Sequence, residues 1–226
     1  ELPDHLNVVP PILATDAPGN GLYESLMIAK KYHLRHVFFT PTTWVRQPFL
    51  KEEFKEFENK YEDEVLYFKE WLTGLEGKFD VTFLDDPQQP WIVQVEVDDE
   101  PLDVFYKAMR RNPEGVRAEF RETNGFDLPL MVEPKTPLER AQRIKFWWWL
   151  MDKYSRIAKT RVDILGKHLG RSLFTGNVHF STIIDYGKWG DIYDMPGISP
   201  RPLLAEDPLA WKYLMGYSTR LLNDLT

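Results

Sequence analysis

The sequence contains no cysteine, so it forms no disulfide and offers neither a thiol nucleophile nor a thiolate ligand for a metal. A chain without thiols suits an oxidising and a reducing compartment equally well, and we therefore predict no localisation. The sequence also lacks any apolar run approaching the roughly 18 residues that a membrane-spanning helix needs. We expect no membrane span.

Basic charge is scarce as well. The 28 Lys and Arg residues are outnumbered by 35 Asp and Glu residues, which gives a net charge of −7, and the basic residues form no cluster that could follow a phosphate backbone. Nucleic acid is therefore not an expected partner. In contrast, 43% of the residues are hydrophobic and 14% are aromatic, which excludes disorder and favours a single globular domain over residues 1–226.

The sequence also lacks a glycine-rich phosphate-binding loop. Residues 16–21 read Asp-Ala-Pro-Gly-Asn-Gly and do not have the G-x-G-x-x-G spacing of a dinucleotide site. We predict no cofactor.

Hydrophobic periodicity divides the chain into alternating helices and strands. Apolar residues at helical spacing predict a helix over 50–75, ended by Gly74 or Gly77, and a 33-residue helix between Pro137 and Gly170. Shorter helices are predicted over 22–33, from 102, over 113–123 and over 208–222. Strand-like segments are predicted over 34–40, 79–84, 91–97, 172–180 and 191–195.

This alternation predicts an α/β fold with parallel strands joined by crossover helices. Without a phosphate loop, a (β/α)₈ TIM-barrel type is favoured over a doubly wound sheet. The predicted strands number about five or six, whereas eight close such a barrel over roughly 250 residues. We therefore expect the barrel to be incomplete within this chain.

Residues 91–100 carry the most informative pattern. Val93, Val95 and Val97 alternate with Gln94, Glu96, Asp98 and Glu100, and alternate side chains of a strand point to opposite faces. In a barrel wall the acidic series would point inward, with Glu100 near the catalytic end. Neighbouring carboxylates repel one another and raise at least one pKa, as a proton donor requires. The alternative is an edge strand with a solvated acidic face.

The segment Trp91-Ile-Val-Gln-Val-Glu-Val-Asp-Asp-Glu-Pro101 resembles the fourth strand of clan A glycoside hydrolases. That clan's strand ends in an Asn-Glu pair, and the resemblance implies that Glu100 is the general acid/base. Asp99 replaces the usual Asn, and it could accept a hydrogen bond from a sugar hydroxyl but could not donate one.

Further segments resemble the family 42 β-galactosidase-like branch. They are Phe38-Phe-Thr-Pro-Thr-Thr-Trp44, the segment 105–126 with the Trp-rich helix that follows it, Leu173-Phe-Thr-Gly-Asn177 and Asp191-Ile-Tyr-Asp-Met-Pro196. The resemblance implies cleavage of O-glycosidic bonds in an oligo- or polysaccharide, so the expected partner is a carbohydrate. No residue matches the clan's nucleophile, which follows a later strand.

Five further side chains are candidates for binding the substrate. Trp44 follows a strand and could stack on a sugar ring, while Asn177 and Asp194 could position hydroxyls. Tyr193 accompanies Asp194, although either could instead stabilise the following turn. His179 ends a strand and could contact substrate or be an ordinary loop histidine.

Because the chain begins at Glu1 without a methionine and lacks a nucleophile match, we expect a processed or partial product. The rest of the barrel would then come from another segment, another chain or a homo-oligomer. Alternatively, the protein is a non-catalytic carbohydrate-binding or scaffold barrel. A third interpretation is that Asp98, Asp99 and Glu100 bind a hard cation, although no EF-hand loop is present and no metal site is predicted.

Two compositional details complete the prediction. Few Asn and Gln residues beside abundant Lys and Glu favour a heat-tolerant source. Trp147, Trp148 and Trp149 are consecutive in the long helix, so they cannot all face the core, and at least one is expected at a surface or an interface.

Overall fold

A computed structural model describes residue 31 and residues 37–39, 46–79, 92–96, 101–129, 133–170, 173–179 and 186–199. Helices account for most of them. No helix in these ranges is both long enough and apolar enough to cross a membrane.

Four short strands form one parallel sheet in the order β1-β2-β3-β4. The strands are β1 (Val37–Phe39), β2 (Ile92–Glu96), β3 (Leu173–His179) and β4 (Met195–Ser199). Strands β1, β2 and β3 lie within segments that the sequence predicts as strands. Each strand pairs with the next in sequence, so a crossover separates every adjacent pair.

Helix α1 (Glu53–Phe79) has the predicted apolar face. The buried positions recur every three or four residues and are Phe54, Phe57, Tyr61, Val65, Phe68 and Leu72, with Trp71 partly buried beside them. The predicted end is wrong, because the helix continues through Gly74 and Gly77 to Phe79. Glycine weakens a helix without ending it when no turn geometry requires a positive φ.

Two shorter helices, α2 (Pro101–Arg111) and α3 (Pro113–Asn124), follow β2 as the sequence predicts. Asn112 separates them, and its side chain accepts a hydrogen bond of 2.9 Å from the Gly115 N–H, which satisfies one donor at the start of α3. Gly125 ends α3 in the left-handed conformation, at φ 77°.

Helix α4 (Pro137–Leu169) has the predicted bounds. Thr136 caps its start: the hydroxyl accepts from the Glu139 N–H at 3.2 Å, while the Glu139 carboxylate accepts from the Thr136 N–H at 2.9 Å. This reciprocal pair is a capping box. At the other end, Glu62 of α1 accepts hydrogen bonds from Lys167 at 2.5 Å and faces His168 Nε2 at 2.6 Å, so polar contacts join the two long helices.

The three consecutive tryptophans of α4 point in different directions, as predicted. Trp149 is 5% exposed and packs edge-on against Phe49 and Phe120, with ring centroids at 5.2 and 5.1 Å. Trp147 is partly buried, and Trp148 is 57% exposed. The outward stripe of Ile144 and Trp148 is therefore not covered by the described part of the chain.

The strand predicted over 191–195 is wrong. Residues 186–192 form the short helix α5 (Tyr186–Ile192), and β4 begins only at Met195. Trp189 of α5 is fully buried and stacks on Tyr154 of α4 with ring centroids 5.7 Å apart. Burial of this aromatic pair holds 186–192 as a helix against α4.

The α/β barrel prediction is also wrong. The described residues are mainly helical, and their four strands form a single row in which β1 and β4 are the outer strands. Periodicity identifies individual elements, but it does not reveal whether a sheet closes. Of the strand predicted over 191–195 only Met195 belongs to the row, because residues 191–192 belong to α5.

Several predictions fall outside the described residues. They are the strand over 80–84, the helix over 208–222 and, apart from Lys31, the helix over 22–33. The single-domain prediction for 1–226 stays a prediction.

Candidate site at the carboxyl edge of the sheet

The parallel sheet brings the carboxyl ends of its strands to one edge. Glu96, the last residue of β2, pairs with Asn177 of β3, and Asn177 pairs with Gly197 of β4. His179, the last residue of β3, pairs with Ser199. Two of the predicted substrate-binding residues, Asn177 and His179, therefore lie in the final part of a central strand. Ligands of open parallel sheets bind outside this edge.

Three other candidates follow strands that end at the same edge. Trp44 comes five residues after the end of β1, and Asp99 and Glu100 come three and four residues after the end of β2. All three lie outside the described residues. Helix α2 begins directly after Glu100, at Pro101.

Asp194 and Tyr193 occupy a different place. They immediately precede β4, whose first residue, Met195, pairs with Thr175. They therefore lie at the amino end of their strand, and the structure does not bring them to the edge where β3 ends.

Tyr193 lies in the core. It is 3% exposed, its ring packs against Trp189 with centroids 5.0 Å apart, and its hydroxyl makes no hydrogen bond within the described residues. Burial raises the pKa of Tyr193 well above its usual range, so the phenol stays protonated. Asp194 is exposed. Substrate contact by either side chain stays a prediction.

The described chain resumes after β1 at Arg46, and residues 46–52 are fixed from several directions. Glu53 accepts hydrogen bonds from the N–H groups of Phe49 and Leu50 at 2.7 and 3.1 Å. The same carboxylate pairs with Arg46 and, at 3.2 Å, with Arg111 of α2. Burial alone would raise the pKa of Glu53, but these N–H groups and guanidinium groups hold it below its ordinary value of 4.5.

A second carboxylate holds the same segment from α3. Glu119 accepts a hydrogen bond from the Lys51 N–H at 3.0 Å and forms an ion pair with Lys153 of α4. The Lys153 ammonium also donates to the Phe49 carbonyl at 3.0 Å. It lies over the rings of Phe49 and Trp149, at 5.5 and 5.4 Å from their centroids.

This ion pair is buried, with side-chain exposures of 8% for Lys153 and 7% for Glu119. Burial lowers the pKa of Lys153 to about 8, and the neighbouring cations Arg156 and Lys51 act in the same direction. Glu119 is the counter-charge that favours the ammonium form in this apolar setting.

Sequence analysis missed these polar residues. The signal for Lys153 was present, because a lysine four residues after Trp149 lies on the apolar face of α4. Glu119 likewise lies three residues after the buried Val116, on the apolar face of α3. A charged residue on a buried face predicts a partner, although the sequence does not say which one.

A separate cleft of about 360 Å³ opens at the start of α4. It is lined by Pro129, Glu133, Pro134, Lys135, Glu139, Gln142 and Arg143, and none of the predicted site residues is among them. Across the ranges that the structure describes, no group of three or more His, Asp and Glu side chains could hold a metal ion. The alternative cation site at 98–100 lies outside those ranges.

The structural neighbours of the chain are β-galactosidases. The enzyme from the psychrophilic Marinomonas ef1 is 17% identical, with a TM-score of 0.45, over 83% of this chain and 34% of its own. The polyextremophilic enzyme from the Antarctic haloarchaeon Halorubrum lacusprofundi is 11% identical, with a TM-score of 0.47, over 80% and 32%. The chain spans about a third of the length of each.

Similarity at this level assigns neither a fold nor a function to the chain, and it does not confirm family 42. No family model matches the sequence, and no curated protein does.

Proposed function

We propose that the chain carries a carbohydrate site of the glycoside hydrolase type at the carboxyl edge of its parallel sheet, with Glu100 as the general acid/base. The observation that supports this is the strand register. Glu96, the last residue of β2, and Asn177 of β3 are direct partners, so β2 ends beside the strand that carries Asn177 and His179, four residues before Glu100 in the sequence.

The proposed chemistry begins with proton transfer. Glu100 donates a proton to the oxygen of the leaving sugar and afterwards removes one from the attacking water. Asp99 and Asn177 hold sugar hydroxyls, His179 contacts the substrate near the end of β3, and Trp44 provides an apolar surface for a ring. A retaining reaction also requires a second carboxylate about 5 to 5.5 Å from the first. The family resemblance identifies no residue of this chain for that role.

The test is hydrolysis of a panel of nitrophenyl glycosides, with the β-galactoside included, by the wild type and by Glu100→Gln. We expect the substitution to reduce kcat at least about a hundredfold and to leave binding of the intact glycoside largely unchanged. Glu114→Gln is the matched control, because Glu114 is 84% exposed and pairs with Arg117. Equal turnover by Glu100→Gln and the wild type would overturn the assignment.

The second candidate function is carbohydrate binding without cleavage. It is favoured by one observation, the absence of a match for the nucleophile. Calorimetric titration with the same glycosides separates the two functions, because binding without product release supports the second. Absence of both binding and turnover across the panel would overturn both.

A further inference from the structure

We propose that the outward side of α4 binds the outward side of α1 in a second copy of this chain. The first surface places two apolar side chains beside two cations, and the second places one apolar side chain between two anions. We call them the α4 face (Arg140, Ile144, Lys145 and Trp148) and the α1 face (Asp63, Leu66 and Glu70). The proposal does not depend on the proposed function.

The α4 face combines exposed apolar side chains with positive charge. Ile144 is 50% exposed and lies one helical turn before the exposed Trp148 ring, on the same side of the helix. The Lys145 ammonium lies 5.2 Å from the centroid of that ring, so charge and ring occur together. Arg140, also exposed, lies one turn before Ile144.

The two cations of the α4 face are available to a partner. Neither Arg140 nor Lys145 forms an ion pair within the part of the chain that the structure describes. Unpaired cations beside an exposed aromatic ring favour a partner that is both apolar and acidic.

The α1 face has this complementary character. Leu66 is 41% exposed, whereas the other periodic apolar residues of α1 point into the core. Asp63 precedes it by three residues and Glu70 follows it by four, so both carboxylates lie beside it on the same side of the helix. Both are exposed, and among the described residues neither has a basic partner.

A second copy is the occupant that this charge distribution favours. Each copy carries both faces, so one copy supplies the acidic face that the α4 face of another requires. The contact joins two different surfaces and is therefore heterologous. An anionic membrane is the other partner with matching chemistry, but a chain with a net charge of −7 is repelled from such a surface.

We expect the contact to be weak, because one helix face packs on another. Contacts of this kind lie below about 1,200 Å² of buried surface, and we expect a Kd on the order of 10 to 100 µM. At about 1 µM, a suitable concentration for urea denaturation, the chain is then monomeric.

The experiment compares the wild type with variants in which the charges are reversed. Arg140→Glu/Lys145→Glu makes the α4 face acidic, and Asp63→Lys/Glu70→Lys makes the α1 face basic. Each variant then opposes like charges across the contact. The fourfold variant, which combines all four substitutions, restores opposite charges, and so does an equimolar mixture of the two double variants.

Arg110→Glu/Arg117→Glu is the matched control. Both arginines are exposed, on α2 and α3, and belong to neither face. Their reversal changes the net charge of the chain by the same amount as reversal of the α4 face. It therefore separates a local contact from a general effect of net charge.

Sedimentation equilibrium measures the Kd for association of each sample. We expect the average mass of the wild type to rise above that of one chain as its concentration increases. Each double variant of a face should raise the Kd at least about tenfold, because like charges then meet. The fourfold variant and the mixture should return it to within about threefold of the wild-type value, and the control should keep that value.

Recovery in the mixture cannot result from misfolding, because neither of its components is altered by mixing. A fourfold variant and a mixture that both stay dissociated would overturn the proposal. Association that survives reversal of either face would also overturn it, because the contact would then lie elsewhere.

The membrane alternative is tested by sedimentation with vesicles of phosphatidylcholine and phosphatidylglycerol. A wild type that stays monomeric at every concentration contradicts the proposal. If that monomer binds the vesicles and Arg140→Glu/Lys145→Glu does not, the α4 face is assigned to a lipid surface instead.

Discussion

The Lys153 ammonium and the Glu119 carboxylate meet in the core between α4 and α3, where both side chains are more than nine-tenths buried. Removing one member of such a pair leaves the other charge without compensation. We therefore expect Lys153→Met to lower the free energy of unfolding by about 3 to 5 kcal/mol.

Urea denaturation of the wild type and the variants measures this effect. The double variant Glu119→Gln/Lys153→Met should be more stable than Lys153→Met, because it removes both charges. If Lys153→Met costs less than about 1 kcal/mol, the pair is not the structural element described above.

Glu53 should make stability depend on pH in the acidic range. Its folded-state pKa lies below the ordinary value of 4.5, so folding favours the ionised carboxylate. The stabilisation is fully present above about pH 4.5 and is lost as the pH falls through the folded-state pKa. We expect the urea midpoint to fall on acidification below pH 4.5 and to fall less steeply in Glu53→Gln.

The matched variant for that measurement is Glu70→Gln, which changes an exposed glutamate of the same helix. It should follow the wild-type pH profile. Identical profiles for Glu53→Gln and the wild type would show that the hydrogen bonds from Phe49 and Leu50 do not favour the ionised form.

Truncation of two adjacent tryptophans of α4 should lower the free energy of unfolding by very different amounts. Trp149→Ala removes a ring packed on Phe49 and Phe120, and we expect a loss of about 3 to 5 kcal/mol. Trp148→Ala removes an exposed ring whose described partner is Lys145, at 5.2 Å, and should cost less than about 1 kcal/mol. Urea denaturation of both variants tests this prediction. Equal losses in the free energy of unfolding would contradict the difference in burial between the two rings.

Loss of the capping box of α4 should lower the free energy of unfolding by less than loss of the buried Trp149 ring. Thr136→Ala removes the side-chain acceptor for the Glu139 N–H, and we expect it to cost about 1 kcal/mol. Thr73→Ala is the control, because the Thr73 hydroxyl donates to the Lys69 carbonyl inside α1 and caps no helix end. It should change stability by no more than about 0.5 kcal/mol in the same denaturation series.

The long helices could be predicted from the sequence because their signals are local. Pro137 and Gly170 mark both ends of α4, and the spacing from Phe54 to Leu72 defines the buried face of α1. The capping box has an equally local signal, since Thr136 and Glu139 have the required spacing.

The architecture could not be predicted in the same way. Residues 191–195 have strand-forming side chains, yet residues 186–192 are helical and Trp189 packs on Tyr154, a contact that joins positions 35 apart in sequence. Sheet closure likewise depends on contacts that no local pattern encodes. The ion pair between Lys153 and Glu119 joins positions 34 apart, so it could not be predicted from the local sequence either.

The candidate site was predicted in part. Asn177 and His179 lie in the predicted strand, and the register with β2 and β4 places them at the carboxyl edge. Tyr193 and Asp194 precede β4 and do not lie at that edge, and their contact with substrate stays a prediction. The roles of Glu100, Asp99 and Trp44, and the heat-tolerant source, stay predictions.

Residues 73–79 form the last turns of helix α1 and include two glycines. No atom of the described residues lies within 4 Å of the point where a Cβ of Gly74 or Gly77 would lie, so packing against them requires neither glycine. Each weakens the helix by about 0.5 to 1 kcal/mol relative to alanine. Residues 73–79 span about 10 Å as a helix and more than twice that when extended. Unwinding of these turns would therefore add about 13 Å of chain after Leu72 and would leave the apolar face that ends at Leu72 intact.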